Sequence, residues 1–213
     1  MPRGPRLVFD RAVFHIINRG ISRSTLFRCD EDFMIFLELI KRYKKEINFS
    51  LFHYVIMKNH IHFLLKINKA KDLPRIVKSL TLSYTTRYHF KYKTSGYLWQ
   101  GRYKSMLIGE DKYLLECGRY IERNPVKAGI VKNPEDYPWT SYRVYAFGEE
   151  NPLIDPSPAY LALSDDPEVR KSIYVDYVTK TRDKEYVFKD LSVYGSEAFK
   201  DRIKDVVAVG KEM

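Results

Sequence analysis

The chain has 213 residues, with 37 Lys and Arg against 27 Asp and Glu, a net charge of +10 and two cysteines. A chain of this length can bury a full core without disulfide bonds, and two cysteines exclude a disulfide framework or a cysteine-rich metal motif. No apolar run reaches the roughly 18 residues of a membrane span, and residues 1–6 do not resemble a signal peptide. We therefore expect a cytoplasmic protein with reduced thiols and no membrane partner.

The charge is unevenly distributed along the chain. Residues 1–148 hold 27 Lys and Arg against 13 Asp and Glu, whereas residues 149–213 hold 10 against 14. Residues 73–109 hold seven basic residues, no acidic residue and many aromatic rings. Cations that neutralise phosphates, mixed with rings that stack on unpaired bases, are typical of a single-stranded nucleic-acid surface. The alternative is that the cations solvate a helix face while the rings fill a core.

The first three predicted elements are a strand, a helix and a hairpin. Residues 11–18 have the composition of a strand. Asp30 is the expected N-cap of a helix that continues to about residue 46, because apolar residues recur there at helical spacing. Residues 53–67 form two strand-like runs that are separated by Lys58-Asn59, a pattern that predicts a β-hairpin.

The following elements complete a recognisable order. Pro74 predicts the start of a second helix, whose apolar stripe runs to about Phe90, and residues 104–108 predict a short strand. The order βαββαβ is that of a ferredoxin-like α+β fold, an antiparallel sheet with two helices on one face. Residues 111–123 predict a further helix that ends at Asn124-Pro125. This helix is the candidate to cover the open face of the sheet.

We divide the chain into a domain of residues 1–148 and an acidic, mostly helical C-terminal extension of residues 149–213. The extension opens with a proline-rich stretch at residues 151–158, and apolar stripes recur after it. Two roles for the extension are open at this point, namely packing on the domain or competing with nucleic acid for the basic face.

Two histidines in the predicted hairpin form the first half of a candidate site. His60 and His62 lie two residues apart on a strand, so their side chains point to the same face. Neutral imidazole is a common metal ligand. A His-x-His pair alone is more often a pair of half-buried polar residues, so the hypothesis needs a third ligand and a reactive group.

The helix of residues 111–123 supplies both. Tyr120 and Asn124 lie one helical turn apart. On a helix that crosses the open face, the Asn124 amide oxygen can be the third ligand of a divalent ion, and Tyr120 can be the nucleophile that attacks a phosphodiester. Tyr113 lies on the same stripe and is the nearest rival, but it has no such amide one turn beyond it.

These residues also carry a resemblance to a known family. His60-Ile61-His62 resembles the His-hydrophobe-His motif of the HUH endonucleases, and residues 120–131 resemble the nucleophile helix of the REP-associated tyrosine transposases. Asn18-Arg19-Gly20, residues 98–105 and residues 134–142 match further motifs in the family's order. The resemblance spans about residues 10–145. It implies that Tyr120 is the nucleophile and that His60, His62 and Asn124 are metal ligands.

One departure from the family lies beside this motif. Lys58 occupies a position where the family usually has proline. The difference affects the hairpin turn, so we do not expect it to remove activity.

The resemblance implies a nucleoid-associated enzyme that depends on Mg²⁺ or Mn²⁺. Such an enzyme cleaves single-stranded DNA at hairpins, the repetitive extragenic palindromes, and rejoins it through a 5′-phosphotyrosine. We expect a monomer, with a dimer left open. The candidate DNA contacts are basic or aromatic residues, namely Arg11, Arg19, Arg23, Arg87, Lys91, Lys93, Trp99, Arg102 and Lys104.

Two alternatives remain open from the sequence. The first is a metal-dependent nuclease in which water replaces tyrosine as the nucleophile. The second is a non-catalytic protein of ferredoxin-like fold that binds nucleic-acid hairpins by stacking.

Overall fold

A four-stranded antiparallel sheet forms the centre of the molecule. The computed structural model describes residues 7–109, 111–180, 188 and 192–209, and for residues 206–209 it describes only the backbone. The strands β1 (Val13–Arg19), β2 (Ser50–Met57), β3 (His60–Lys66) and β4 (Lys104–Ile108) lie in the order β2-β3-β1-β4. Helices α1 (Asp30–Ile47) and α2 (Asp72–Tyr92) occur in the predicted places. The ferredoxin-like α+β arrangement is therefore confirmed.

The elements after β4 include several helices and one more strand. The helices are α3 (Asp111–Glu122), α4 (Asn124–Lys127), α5 (Tyr142–Phe147), α6 (Pro158–Leu161), α7 (Pro167–Thr179) and α8 (Glu197–Val209). Strand β5 (Val193–Tyr194) pairs in parallel with β4 and extends the sheet. In the described part of the chain, no helix has the length and apolar character needed to cross a membrane.

Side chains alternate along β3, so its two faces contribute to two different hydrophobic cores. Ile61, Phe63 and Leu65 are buried in the core beneath α1 and α2. His62 and Leu64 are also buried, and Leu64 belongs to a second core that includes Leu114, Cys117 and Ile121 of α3. Helix α3 packs on β2 and β3. The structure thus confirms that α3 covers the face that α1 and α2 leave open.

Several predicted boundaries were wrong. Strand β2 begins at Ser50 and not at residue 53, and α2 begins at Asp72 and not at Pro74. Strand β1 begins at Val13 and not at residue 11, because Arg11 has a φ of 58°, which is a left-handed conformation that cannot continue a strand. The N-cap of α1 is Cys29 and not Asp30, which is the first helical residue. The carboxyl group of Asp32 reaches back and accepts hydrogen bonds from two backbone N–H groups that precede the helix.

The described part of the C-terminal extension packs on the domain. Leu153, Ile154, Tyr174 and Val178 are buried in the same core as α1 and α2. Of the two roles that the sequence left open, packing on the domain is the one these residues perform. One of the apolar stripes predicted for the extension includes Val206, whose side chain lies outside the described set.

Candidate active site

His60 has a defined hydrogen-bond partner on one ring nitrogen. Its Nδ1 lies 2.6 Å from Oδ1 of Asn59, and the Asn59 amide nitrogen donates to the carbonyl oxygen of Arg23 at 3.3 Å. An amide oxygen can only accept, so His60 carries its proton on Nδ1 and has its lone pair on Nε2. Burial and the nearby charge of Arg19 lower the pKa of His60 to about 4. The ring is therefore neutral at physiological pH, which is the form that binds metals.

His62 is paired with a third histidine that the sequence prediction missed. Its Nδ1 lies 2.8 Å from Nε2 of His15, and the two rings stack with their centroids 5.1 Å apart. Both residues are buried, and burial lowers the pKa of His15 to about 3. The signal that could have revealed His15 is the alternation of side chains in β1, which places His15 and Ile17 on the same face of the sheet. Ile17 is paired with His62 across β1 and β3, so His15 lies near His62.

Tyr120 lies directly over these histidines. Its ring centroid is 5.8 Å from that of His15 and 5.9 Å from that of His62, in edge-on contacts. The Lys127 ammonium lies 5.0 Å from the Tyr120 ring centroid, and the ring of Phe188 lies 5.5 Å from it. Tyr120 is 6% exposed. The structure thus brings the Tyr120 phenol together with the imidazoles of His15 and His62, the Lys127 ammonium and the ring of Phe188.

Asn124 is the first residue of α4 and lies two residues beyond the end of α3, the helix that carries Tyr120. Its amide nitrogen donates to the carbonyl oxygens of Tyr120 at 2.7 Å and Ile121 at 3.3 Å, both in the last turn of α3. These two bonds orient the amide, so that Oδ1 is the atom it could offer to a cation. The role of Asn124 as a third ligand stays a prediction.

The predicted ligands, His60, His62 and Asn124, would give a divalent cation an incomplete protein shell. Among the described residues, no group of three or more His, Cys, Asp or Glu side chains is placed to hold a metal. The rings of His60 and His62 lie 5.1 Å apart between centroids, and Nδ1 of each is engaged by the protein. Two imidazole nitrogens and one amide oxygen would leave positions for water and a phosphate oxygen, which Mg²⁺ and Mn²⁺ accept.

A buried carboxyl group fixes the helix that carries Tyr120. Glu122 is 0% exposed, and its Oε1 lies 2.9 Å from Nδ1 of His53 and accepts from the Ser141 hydroxyl at 2.7 Å. Its Oε2 accepts from the hydroxyl of Tyr174 at 2.7 Å. A Cβ atom on Gly118 would lie 2.7 Å from Nε2 of His53, so the helix can approach β2 this closely only with glycine there. These contacts tie α3 to β2, to the start of α5 and to α7.

Two arginines of α3 and its end strengthen the link to α7. Nε of Arg119 donates to the carbonyl oxygen of Tyr177 at 2.9 Å, and its Nη2 donates to that of Lys180 at 2.6 Å. Nη1 of Arg123 donates to the carbonyl oxygen of Val178 at 2.8 Å. Cations at the C-terminus of a helix satisfy its last carbonyl groups and complement its dipole.

Four of the predicted DNA contacts lie at the end of the sheet where β3 begins with His60. Arg19 pairs directly with His60 across the strands, and Lys104 pairs with the other side of β1. The loops that carry Arg23 and Arg102 meet this end, and all four residues are exposed. Together, Arg19, Arg23, Arg102 and Lys104 form a basic rim beside His60.

The side chains of two other predicted contacts do not belong to this rim. Arg11 precedes the far end of β1, and the 7 residues of that strand separate it from the rim by about 20 Å at the usual rise of a strand. Trp99 is half-buried against the core, and its Nε1 donates to Oγ1 of Thr85 at 3.1 Å. Its ring supports the loop from within.

The three predicted contacts on α2 and its C-cap lie on the opposite side of the sheet from Tyr120. Arg87 and Lys93 are exposed. Lys91 instead forms ion pairs with Glu31 at 2.6 Å and Asp32 at 2.8 Å, and hydrogen bonding to these carboxyl groups raises its pKa. Both ion pairs compete with any contact between Lys91 and a phosphate.

Comparison with known proteins identifies related chains. A family model described as IS200-like transposase matches residues 9–124. A REP-associated tyrosine transposase of Haemophilus influenzae is 33% identical over 98 residues, which cover 41% of this chain and 55% of that protein. The chain thus spans about half the length of this curated relative.

Two solved structures of transposases are similar to this chain to different degrees. A REP-associated tyrosine transposase bound to a REP hairpin has a TM-score of 0.59 at 18% identity, covering 89% of this chain and all of that one. A transposase of Deinococcus radiodurans has a TM-score of 0.40 at 21% identity, covering 58% of this chain and 97% of that one. The first of these shares the fold of this chain.

Proposed function

Because the chain belongs to the family of IS200-like transposases, we propose that it cleaves and rejoins single-stranded DNA at hairpin elements through Tyr120. The observation that carries this proposal is the position of the Tyr120 ring, whose centroid lies 5.9 Å from that of His62 and 5.8 Å from that of His15, on a helix that packs on β2 and β3. A nucleophile and the groups that bind the reacting phosphate must be held together for such chemistry.

The proposed substrate is a DNA hairpin with an adjoining single strand. A solved structure of the same fold is described as a REP-associated tyrosine transposase bound to a REP hairpin, and this chain has a net charge of +10. The basic rim formed by Arg19, Arg23, Arg102 and Lys104 lies beside His60 and can hold phosphates near Tyr120. Direct protein contacts to phosphates position DNA without selecting its sequence.

In the proposed reaction, the Tyr120 oxygen attacks the phosphorus atom of one phosphodiester. A bond forms between the phenol oxygen and phosphorus, the bond from phosphorus to the 3′ oxygen breaks, and the 3′ oxygen leaves with a proton. The product is a 5′-phosphotyrosine and a free 3′ hydroxyl. Since one phosphodiester replaces another, a 3′ hydroxyl can reverse the step and rejoin DNA without ATP.

Lys127 and the histidines have separate tasks in this proposal. The Lys127 ammonium, 5.0 Å from the ring centroid of Tyr120, stabilises the negative charge that develops on the phenol oxygen. Nε2 of His60, Nε2 of His62 and Oδ1 of Asn124 would hold a Mg²⁺ or Mn²⁺ ion. When bound, the ion supplies Lewis-acid polarisation of the scissile phosphate.

Phe188 limits access to the proposed nucleophile. Its ring is 0% exposed and lies against those of Tyr120 and His15. A phosphodiester that approaches Tyr120 from the side of Phe188 would have to displace this ring. The same observation favours a second candidate function, in which the protein binds hairpins and does not cleave them.

One experiment separates these functions. The full chain is incubated with Mn²⁺ and a hairpin oligonucleotide labelled at its 3′ end, and the products are run on a denaturing gel. A 5′-phosphotyrosine keeps the 3′ part of the DNA on the protein, so the label should migrate with the protein. Tyr120→Phe, which removes one oxygen and keeps the ring, should form no such band, and Tyr113→Phe should retain it.

Each other outcome points to a different function. Cleavage with no covalent band would indicate a nuclease that uses water. Hairpin binding with no cleavage would indicate the non-catalytic function. A covalent band that survives in Tyr120→Phe and vanishes in Tyr113→Phe would assign the nucleophile to the other tyrosine of α3.

A further inference from the structure

His15 is a buried polar residue with no role in the proposed reaction as described so far. It is 0% exposed on β1, and its only hydrogen bond among the described residues joins its Nε2 to Nδ1 of His62 at 2.8 Å. Its own Nδ1 is buried without a hydrogen-bond partner in the described part of the chain. An unsatisfied buried polar atom is costly, so its presence requires an explanation.

The two rings can share a proton in only two ways if both are neutral. In one arrangement, Nδ1–H of His62 donates to Nε2 of His15, and the lone pair of His62 lies on Nε2. In the other, Nε2–H of His15 donates to Nδ1 of His62, and the proton of His62 lies on Nε2. A metal can bind Nε2 of His62 only in the first arrangement, because a protonated nitrogen has no lone pair to donate.

For His60, the position of the proton is decided by its hydrogen-bond partner. Nδ1 of His60 lies 2.6 Å from the Asn59 amide oxygen, an atom that can only accept. His15 occupies the corresponding position on His62. Both imidazoles of the pair would then present Nε2 as ligand atom and use Nδ1–H to hold their orientation.

We infer that His15 is a positioning residue for the metal site, which accepts the Nδ1–H of His62 and so fixes the tautomer and orientation of that ligand. This inference rests on the proposed function in taking His62 as a ligand. Outer partners of metal-bound histidines typically affect metal affinity by about 10- to 100-fold. The unsatisfied Nδ1 of His15 is the cost of placing an acceptor at this point of a buried sheet face.

Two substitutions separate the acceptor from the packing of the ring. His15→Phe keeps an aromatic ring against Tyr120 and Phe188, whose centroids lie 5.8 and 6.0 Å away, and removes both nitrogens. His15→Gln restores an acceptor oxygen. Met106→Leu is the matched control, because Met106 pairs with His15 across β1 and β4, is 2% exposed and keeps its volume in the variant.

The first readout is Mn²⁺ affinity of the full chain without DNA, measured from the electron paramagnetic resonance signal of the free ion. His15→Phe should bind Mn²⁺ about 10- to 100-fold more weakly than the unmodified chain. His15→Gln should recover part of the loss, and Met106→Leu should bind normally. Wild-type affinity in a folded His15→Phe protein would overturn the inference.

The second readout needs neither metal nor activity. Long-range proton–nitrogen NMR spectra of the metal-free chain report which ring nitrogen of each histidine carries the proton. His62 should carry it on Nδ1, and a proton on Nε2 would overturn the inference. If the unmodified chain binds no Mn²⁺, the metal part of the proposed function fails, while the NMR result still decides whether His15 accepts from His62.

Discussion

Removing the hydroxyl group of Tyr174 tests whether α7 is anchored to the helix that carries Tyr120. That hydroxyl is buried and donates to Oε2 of Glu122 at 2.7 Å. Tyr174→Phe deletes this bond and keeps the ring contacts with Tyr145 and Tyr160. Because a buried acceptor loses its donor, we expect the free energy of unfolding to fall by about 1–3 kcal/mol.

Urea unfolding followed by tryptophan fluorescence measures this loss. Tyr97→Phe is the matched control, since Tyr97 is 87% exposed, and it should change the stability by less than about 0.5 kcal/mol. Combining Tyr174→Phe with Glu122→Gln gives a double-mutant cycle, for which contacting residues show a coupling energy of about 0.5–3 kcal/mol. A Tyr174→Phe protein as stable as the unmodified chain, with zero coupling, would refute the anchoring role.

Three further predictions follow from the site and its supports. His60→Ala and His62→Ala should each abolish cleavage and keep most hairpin binding, and EDTA should abolish cleavage by the unmodified chain. A variant that loses hairpin binding but still cleaves saturating substrate would contradict a metal-binding role. Arg87→Ala should lower the slope of log affinity against log salt by about 1 if Arg87 contacts a phosphate. Lys91→Ala should leave this slope unchanged, because Lys91 is already paired with acids. Equal slopes for Arg87→Ala and the unmodified chain would place the DNA elsewhere. Gly118→Ala forces a Cβ to 2.7 Å from His53 and should lower the free energy of unfolding by about 1–3 kcal/mol in the urea assay, and an unchanged midpoint would show that the helix can shift at no cost.

Aromatic residues show how local composition misleads about exposure. The sequence places many rings among the cations of residues 73–109, a mixture that suggests base stacking. In the structure, Tyr84 and Tyr88 are buried beneath α2 and Trp99 is half-buried, whereas Phe90 and Tyr97 are 77% and 87% exposed. Composition records which residues occur in a segment, but the packing of the helix on the sheet decides which rings reach solvent.

Local periodicity was enough to predict the elements and the two halves of the candidate site. A strand alternates its side chains with a period of two, so His60 and His62 had to share a face, and helical spacing placed Tyr120 and Asn124 one turn apart. Both inferences depend on residues a few positions apart, where backbone geometry leaves few choices. The same reasoning located the helix that covers the open face of the sheet.

Contacts between distant residues were decided only by the tertiary structure. His15 and His62 are 47 residues apart, and Glu122 and Tyr174 are 52 apart. Whether such residues meet depends on strand register and on the docking of α7, which are set by packing of the whole core and leave no periodic signal in the sequence. For the same reason, the sequence did not reveal that Asp32 lies 2.8 Å from the Lys91 ammonium.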